Sequence, residues 1–598
     1  MSDNFFIKNK TAIVVTALAA FSAVGAYYYY TSLTNSSNTT TTPKSENKDK
    51  NTTDSTTTST SKNKKKKKKN SSSQSPEPTT SNEKSIKYPT TGKSNLPNMT
   101  SGFIDSLNSS QKEEIAMQLK EDGNLQFKNK NYKDAISFYS AALSLKQDPI
   151  YYSNRSACYA ALDDHDNVIK DTTEAIKLKP DYTKCILRRA TSYEILENYE
   201  DAMFDLTALT IYGGFSNKSI EQVLERVLRK HSIKIVDEKP KKLILPSAAT
   251  IGSFFGAFVV ETEPEGINEQ SEGGEKFLYD AIQKINASSQ DGYEEADSLI
   301  NQAVASINPE SKVYPIALEY LSAFQFLKND PLSAAESIEK AIQIKPRPRA
   351  YVFRALINAD KSSYDAALND FKLAEALDPR CPDIFYHLGQ LYYLTGDLLN
   401  AEINFNKAKD LYPENVYAYI QLACITYKNG NQDLANEKFT EAKLKFPTSP
   451  EVPNYYGEIL ADKGDIQGAC KQFEIASRLQ EKLDRFSVGA LPLINEATVI
   501  SRESLEKISE AEDLLVKACE LDPKSELARI SLAQIKLQKD EVDEAITLFE
   551  ESSELARSIE EKIQATSFAE ATKMQKRIKN DPILTNRIAE LMRQSGAM

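Results

Sequence analysis

The chain has 598 residues, of which 40% are hydrophobic and 27% are charged. This is globular composition with enough length for several domains or one long array, and it excludes a chain that is disordered throughout. The net charge of −11 is unevenly spread, because residues 1–70 hold twelve lysines against four acidic residues and the remainder is acidic. A folded body without an excess of lysine and arginine argues against a nucleic-acid partner.

An apolar run lies at the amino end. Thr11–Tyr30 has no charged side chain, which predicts one transmembrane anchor within residues 11–33. Tyr27–Tyr30 is typical of the exit from a membrane, where the ring stays in the apolar zone and the hydroxyl reaches water. A cleaved secretory signal peptide is the competing interpretation, because Ala23 and Gly25 offer small residues at a cleavage position.

A lysine-rich stretch follows the apolar run. Residues 34–110 are rich in Ser, Thr, Asn and Lys and poor in large apolar side chains, so we expect a disordered tether. Its lysines, including the block Lys64–Lys69, indicate by the positive-inside preference that the carboxyl side of the anchor lies in the cytosol. Residues 1–10 would then form a short end on the other side of the membrane.

Beyond residue 110 the sequence repeats with a fixed period. Four consecutive repeats share a small residue, an alanine, an aromatic residue and a second alanine in register, and three of them add a proline. In one of these repeats the five positions are Gly389, Ala401, Phe405, Ala408 and Pro413. This is the tetratricopeptide pattern, in which antiparallel helix pairs stack into an α-solenoid. We therefore predict an all-α fold, with about eight repeats and a closing helix over residues 277–598.

A separate block of three repeats comes earlier, over residues 111–235. The small residues of its repeats are, in order, Gly123, Ser156 and Ala190. Residues 236–276 break the period and contain prolines and a Glu/Gly-rich run, so they are interpreted as a linker or hinge. We also predict a short helix there, over residues 251–260.

Motifs for catalysis and metal binding are missing from the sequence. The six cysteines are widely spaced without a Cys-x-x-Cys pair, which is typical of core residues in a reducing compartment. No P-loop, dinucleotide-binding fingerprint or Gly-x-Ser-x-Gly motif occurs, and the three histidines have no metal-spaced companions. We expect no enzyme, no catalytic residue, no cofactor and no metal.

Polar residues converge on one surface of the first block. With the small residue of each repeat numbered as slot 8, slots 2, 5, 6 and 9 of the same helix face the concave wall. In the first block these slots hold Lys120, Asn124, Asn154, Lys184 and Arg188. Ammonium, guanidinium and amide donors in this arrangement suit a terminal carboxylate and neighbouring acidic side chains.

The same positions resemble the carboxylate-clamp repeats of cochaperones. The motifs stand here as Lys120-Glu-Asp-Gly-Asn124, Ser153-Asn-Arg-Ser156 and Lys184-Cys-Ile-Leu-Arg188. The resemblance implies that this block docks the carboxyl-terminal Glu-Glu-Val-Asp tails of the 70-kDa and 90-kDa cytosolic heat-shock chaperones. A solvated helix face would explain any one of these residues but not the whole set.

The whole chain resembles the 70-kDa receptors of the mitochondrial outer-membrane protein translocase, fungal type. The resemblance rests on the anchor with its Tyr-rich exit, the Lys-rich tether, the clamp block and the longer second array. It implies a single-pass outer-membrane import receptor with its amino end in the intermembrane space and its bulk in the cytosol. It also implies that the receptor binds precursors such as carriers with internal signals, works with other translocase subunits and passes precursors to the pore. The alternative is a membrane-tethered chaperone-docking scaffold of another organelle, such as the endoplasmic reticulum.

The precursor-binding residues are predicted by applying the slot rule, with slot 12 added, to the second block. Tyrosines beside carboxylates at these slots would suit apolar segments with flanking positive charge. The alternative is that the tyrosines pack against neighbouring helices. The candidate residues are Tyr386, Gln390, Tyr393, Tyr417, Ile420, Cys424, Tyr427, Glu451, Asn454 and Glu458.

Overall fold

The computed structural model describes residues 88–91, 96–214, 217–240 and 242–594. Across these residues the chain is helical, apart from one two-stranded ribbon, so the predicted all-α fold is confirmed. No helix within the described ranges is both long and apolar enough to cross a membrane. The predicted anchor at residues 11–33 lies outside the described residues.

The described residues divide into two compact units. The first unit comprises the described residues up to 221 together with residues 582–594. It opens with strands β1 (Thr90–Thr91) and β2 (Leu96–Pro97), which pair antiparallel with Thr90 opposite Pro97. Its helices, in chain order, are α1 (Ser101–Ser106), α2 (Ser109–Lys128), α3 (Tyr132–Leu145), α4 (Pro149–Ala161), α5 (His165–Leu178), α6 (Thr183–Ile195) and α7 (Tyr199–Tyr212).

The second unit comprises the described residues between 222 and 581. Its helices are α8 (Lys218–Glu238, whose first turn falls in the first unit), α9 (Ala248–Gly256), α10 (Gly273–Ala287), α11 (Gln290–Ser306), α12 (Tyr314–Leu327), α13 (Pro331–Ile344), α14 (Pro348–Asp360), α15 (Tyr364–Leu377), α16 (Pro382–Thr395), α17 (Leu398–Leu411), α18 (Val416–Lys428), α19 (Gln432–Lys445), α20 (Glu451–Asp462), α21 (Ile466–Glu481), α22 (Leu491–Glu503), α23 (Ile508–Leu521), α24 (Glu526–Gln538), α25 (Val542–Leu555) and α26 (Ile559–Lys579). The last helix, α27 (Pro582–Gln594), belongs to the first unit. Short 3₁₀ turns occur at Pro264–Gly266 and Leu505–Lys507.

Successive helices pair as the period predicts. Three pairs, from α2 with α3 to α6 with α7, form the repeats of the first unit. Eight pairs, from α10 with α11 to α24 with α25, form those of the second. Because each pair is too small to bury its own apolar face, stacking neighbours supplies the core.

A small residue facing an aromatic ring holds the two helices of a repeat together. At Gly123 a Cβ atom would lie 2.8 Å from the ring of Tyr139 in the second helix of the same repeat. At Gly457 it would lie 2.5 Å from the ring of Phe473, which is fully buried. The glycine therefore lets the second helix approach closely enough for the ring to fill the space between the helices.

A buried ion pair recurs between paired helices, at the same spacing along the chain each time. In each pair an arginine of the first helix contacts an aspartate of the second helix that is almost fully buried. The pairs, with the distance between the guanidinium nitrogen and the carboxylate oxygen, are Arg155–Asp171 at 2.6 Å, Arg189–Asp205 at 2.7 Å and Arg354–Asp370 at 2.6 Å. Losing one partner would leave a buried charge uncompensated, so these pairs fix how the two helices align.

The predicted boundary of the tether at residue 110 is too late. Residues 88–91 and 96–110 contain β1, β2, α1 and the start of α2. Their apolar side chains, among them Tyr88, Leu96 and Phe103, pack against the core of the first unit. The compositional argument failed here because a few apolar residues suffice when a preformed helix surface receives them.

The linker and the closing helix also differ from the predictions. Residues 222–238 of α8 belong to the second unit, where Arg229 contacts Glu560 at 2.7 Å. Helix α9 lies three residues earlier than the predicted 251–260 helix and packs into the core of the second unit. Helix α27 leaves the second unit and packs against α7. The period identifies repeats, but it does not indicate where non-repeating segments dock.

We expect Gly457→Ala to destabilise the second unit. The added methyl group meets the ring of Phe473, and overpacking of this kind costs about 1–3 kcal/mol, which outweighs the gain of up to about 1 kcal/mol in helix propensity. Gly102→Ala, in α1, is the matched control because no atom lies within 4 Å of the added carbon. Urea denaturation should show a lower midpoint for Gly457→Ala alone; equal midpoints would contradict the close-approach role.

Candidate functional site

Two asparagines from successive repeats meet in the first unit. Asn124 of α2 accepts hydrogen bonds at its Oδ1 from the Tyr139 hydroxyl at 2.8 Å and from the Asn154 side-chain amide at 3.2 Å. Asn154 belongs to the next repeat, on α4. The interaction brings together two of the five predicted clamp residues and fixes the orientation of the Asn124 amide, whose Nδ2 points to Glu121.

Arg188 joins this surface from the third repeat. Its Nη1 donates to the Ser153 carbonyl oxygen at 2.7 Å and to the Ser156 hydroxyl at 2.8 Å. Since Ser153 precedes Asn154, the guanidinium of α6 is tied to the backbone beside the asparagine pair. Arg155, which lies in the same motif, instead forms the buried pair with Asp171, so its role is to hold the repeat together.

The two lysines differ in their surroundings. Lys120 pairs with Glu121 at 2.8 Å, and this hydrogen bond raises the pKa of the lysine. Glu121 is two-thirds exposed, so the pair is held weakly. Lys184 is exposed at the start of α6. Three cationic groups and two amides thus come from the first helices of three successive repeats. The structure brings Asn124, Asn154 and Arg188 together, whereas Lys120 contacts Glu121 and Lys184 is exposed.

An open cavity of about 740 Å³ adjoins Lys120. Its apolar lining includes Met117, Leu125 and Phe138, and Tyr88 and Thr90 close one side. Sequence reasoning missed this cavity because it assigned Tyr88 to a disordered tether. Lys120 is the one clamp residue in the lining, which also contains the carboxylates of Glu114, Glu121 and Asp122, so the cavity offers apolar surface beside Lys120.

The predicted precursor-binding residues are mostly buried in the second unit. Eight of the ten are less than 10% exposed, and Gln390 and Tyr427 are partly exposed. The tyrosines pack between helices: the ring of Tyr386 lies 5.6 Å from that of Phe405, and the ammonium of Lys428 lies 3.8 Å above the ring of Tyr393. The expected open aromatic wall is therefore closed in this structure, because side chains of neighbouring helices pack against these tyrosines, as the alternative interpretation predicted. The eight buried residues are Tyr386, Tyr393, Tyr417, Ile420, Cys424, Glu451, Asn454 and Glu458.

The acidic candidates form a buried polar network. The Asn454 and Asn495 amides both donate to Oε1 of Glu458 at 3.1 Å. Burial raises the pKa of Glu458 from 4.5 to about 7. Glu451 accepts a hydrogen bond from the Ser487 hydroxyl. These carboxylates are thus used inside the protein rather than presented to a cationic ligand.

Residues of the chain's own irregular segment cover the inner surface of the second unit. Phe254, Phe255 and Phe258 contact the first helices of successive repeats. Sequence reasoning missed this segment as a functional element. An apolar run, Phe-Phe-Gly-Ala-Phe-Val-Val over residues 254–260, inside a stretch otherwise rich in Pro, Glu and Gly, is the signal that could have found it.

Comparison with known proteins agrees with the repeat architecture. Models of the tetratricopeptide repeat match residues 356–396 and residues 382–415. The chain is 41% identical over 525 residues to the mitochondrial import receptor subunit TOM70 of Saccharomyces cerevisiae, covering 82% of this chain and 85% of that protein. The chain belongs to the TOM70 family of mitochondrial import receptors. The human TOM70 is 26% identical over 489 residues, covering 77% of this chain and 79% of its own length.

A crystal structure of yeast Tom70 shares the fold. It covers 80% of this chain and all of its own chain, with 44% sequence identity and a TM-score of 0.54. Membership in the TOM70 family means that the chain is a receptor for mitochondrial protein import rather than an enzyme. It also decides between the two organelles considered above, in favour of the mitochondrial outer membrane over the endoplasmic reticulum.

We expect Glu458→Gln to flatten the pH dependence of stability. The raised pKa of Glu458 means that the folded chain binds this proton more tightly than the unfolded chain. The resulting stabilisation is fully present below the unfolded pKa of 4.5 and is lost as the pH rises through about 7. From about pH 5 to pH 8 the unsubstituted chain should lose on the order of 2–3 kcal/mol more than the variant in urea denaturation.

The matched control for this measurement is Glu437→Gln, because Glu437 is exposed on α19. Its pH profile should follow that of the unsubstituted chain. If the Glu458→Gln profile runs parallel to both, Glu458 is not the buried titrating group.

Proposed function

We propose that the first unit docks the carboxyl-terminal tails of the cytosolic 70-kDa and 90-kDa heat-shock chaperones. The observation that carries the proposal is the contact between Asn124 and Asn154, with Arg188 held beside them. Lys120 and Lys184 lie on the same helices as Asn124 and Arg188 and complete the predicted set of five. A free terminal carboxylate accepts charge-assisted hydrogen bonds from donors of these kinds. The match of all three clamp motifs supports the same ligand.

Lys120 would exchange one carboxylate for another when a tail binds. Its present partner, Glu121, lies on the exposed surface, where an ion pair contributes little. The tail carboxylate would meet Lys120 together with the asparagine amides and the other two cations, so it has more donors than Glu121 has. The apolar side chains Met117 and Leu125 nearby would contact a non-polar residue of the tail.

We expect Lys184→Ala to weaken binding of a free-acid Glu-Glu-Val-Asp peptide more than about tenfold, since a charge-assisted hydrogen bond contributes about 1.5–3 kcal/mol. Lys184 is the sharper test because Arg188 also supports Ser153 and Ser156, so its loss would disturb the fold. Lys170→Ala, exposed on α5, is the matched control. Calorimetry should show weaker binding of the free-acid peptide for Lys184→Ala alone. The amidated peptide should bind neither the unsubstituted chain nor either variant. Equal affinities for the two lysine variants would contradict the clamp.

We further propose that the second unit receives precursor proteins, including carriers with internal targeting signals, and passes them to the translocation pore with other translocase subunits. The length of the array and its aromatic inner helices support a ligand with apolar segments. Tyr386, Gln390, Tyr417 and Tyr427 stay candidates, with the remaining predicted residues, for contacts formed once the wall is uncovered. Gln390 and Tyr427 are the two that solvent already reaches.

The proposed topology is a single amino-terminal anchor with residues 1–10 in the intermembrane space and the two units in the cytosol. It rests on the apolar run and on the lysines that follow it. The family accounts for the outer membrane, and the direction of insertion is inferred from charge.

Removal of residues 1–33 should leave the chain in the soluble fraction after alkaline extraction of mitochondria, because the anchor is the segment that holds it in the bilayer. Removal of residues 1–10 alone is the control and should leave the chain in the membrane pellet. Sedimentation of the shorter chain with the membranes would contradict the single-anchor topology.

A further inference from the structure

A segment outside the repeats lies along the inner wall of the second unit. We call residues 248–261, which comprise α9 and the five residues after it, the inner segment. It contacts α12, α14 and α16, the first helices of three consecutive repeats, and a Cβ on Gly256 would lie 3.4 Å from the ring of Tyr417 on α18. The segment thus follows the path that an extended ligand would take across the array.

Three phenylalanines of the inner segment pack on aromatic residues of the wall. Phe254 stacks on Phe353 with ring centroids 6.0 Å apart, and Phe258 approaches the same ring to 4.8 Å. Phe255 lies 5.7 Å from Phe324. Aromatic pairs at these separations add to the apolar burial. The wall therefore accepts a short helix that presents two or three aromatic side chains.

The wall also contacts the backbone of the inner segment. The Val259 N–H donates to Oδ1 of Asp383 at 2.8 Å, and the Val259 carbonyl oxygen accepts a hydrogen bond from Arg349. Both wall residues occupy slot 2 of consecutive repeats, the slot that Lys184 occupies in the first unit. Because the main chain is common to all peptides, this contact would serve another segment equally well.

A carboxylate fastens the end of the inner segment. Glu261 contacts Nη1 of Arg349 at 2.9 Å, accepts a hydrogen bond from the Tyr320 hydroxyl at 3.2 Å and pairs with Arg347. Each arginine has a second carboxylate on the wall itself: Arg347 contacts Glu319 at 3.0 Å, and Arg349 contacts Asp383. If Glu261 leaves, both guanidinium groups keep an acidic partner. Neither arginine is then left as an unpaired charge when the segment is absent.

We propose that the inner segment is an intramolecular ligand that closes the precursor-binding wall and that an incoming precursor segment of like chemistry replaces it. The incoming segment is an apolar helical turn with two or three aromatic side chains, followed within a few residues by a carboxylate. This inference rests on the proposed function, in which the second unit binds precursors. The surface that the inner segment covers comprises Tyr320, Phe324, Phe353 and His387, together with Tyr417 among the candidate residues. Segments that bury less apolar surface than the inner segment do not displace it.

The test compares Glu261→Gln with Glu263→Gln in the otherwise complete chain. Glu261→Gln removes the charge that fastens the segment without changing the wall, and Glu263, two residues on, is exposed. The probe is a labelled peptide of residues 246–263 of this chain. A second peptide carries Phe254→Ser, Phe255→Ser and Phe258→Ser.

Glu261→Gln should bind the labelled peptide at least about tenfold more tightly than the unsubstituted chain or Glu263→Gln, because a larger fraction of molecules then has an open wall. The serine-substituted peptide should bind none of the three proteins. Hydrogen exchange of the amides of residues 248–260 should be faster in Glu261→Gln alone. Equal peptide affinity and equal exchange in all three proteins would overturn the proposal, since the segment would then be a permanent part of the core.

A second variant distinguishes release of the inner segment from a general folding defect. If Glu261→Gln lowers the melting temperature, Glu261→Asp keeps the charge, shortens the side chain that reaches Arg347 and Arg349, leaves the wall unchanged and should give a smaller change in the same direction. Peptide affinity that does not rise in this variant, when its melting temperature is unchanged, counts against the proposal.

Competition with a purified carrier precursor separates this inference from the proposed function. Displacement of the bound precursor by the peptide supports both. A precursor that binds the second unit but is not displaced leaves the receptor proposal intact and overturns the inner-wall inference. Binding of the peptide without binding of the precursor supports the intramolecular ligand and overturns precursor recognition by this unit.

Discussion

The structure depends on one contact, between a small residue in the first helix of a repeat and a large apolar side chain in the second helix. Gly123 with Tyr139 and Gly457 with Phe473 are examples. Because the contact fixes how closely the two helices approach, it also fixes which side chains of the first helix turn toward the inner wall. The recognition surfaces of both units therefore follow from this packing constraint, and in the first unit the packed ring of Tyr139 also donates a hydrogen bond to Asn124.

The two units use the same positions for different chemistry. In the first unit, slots 2 and 6 hold Lys184, Arg188 and Asn154, which are donors for an acidic ligand. In the second unit the same slots hold aromatic residues together with Arg349 and Asp383, which contact rings and a backbone amide. Substitution at a few wall positions thus changes the ligand class while the helix pairs stay the same.

The repeats could be predicted from the sequence because they repeat. A fixed period is a local signal that accumulates over many copies, and the clamp residues could be placed because their slots are set within single repeats. The docking of α27 on α7 and of residues 88–91 on the first core could not be predicted, since non-repeating segments carry no such register. The burial of Tyr386 and Glu458 was missed for a related reason: a slot gives the direction of a side chain but not what lies in front of it.

The inner segment has a further consequence because of its place in the chain. Residues 248–261 leave the ribosome before α12, α14 and α16, the helices that carry the aromatic wall. Domains fold from the amino end during synthesis, so the wall forms around a segment that is already present. The aromatic side chains of the wall are therefore covered as each new repeat is added. The aromatic residues that the inner segment contacts are therefore shielded from other nascent chains while the array is being completed.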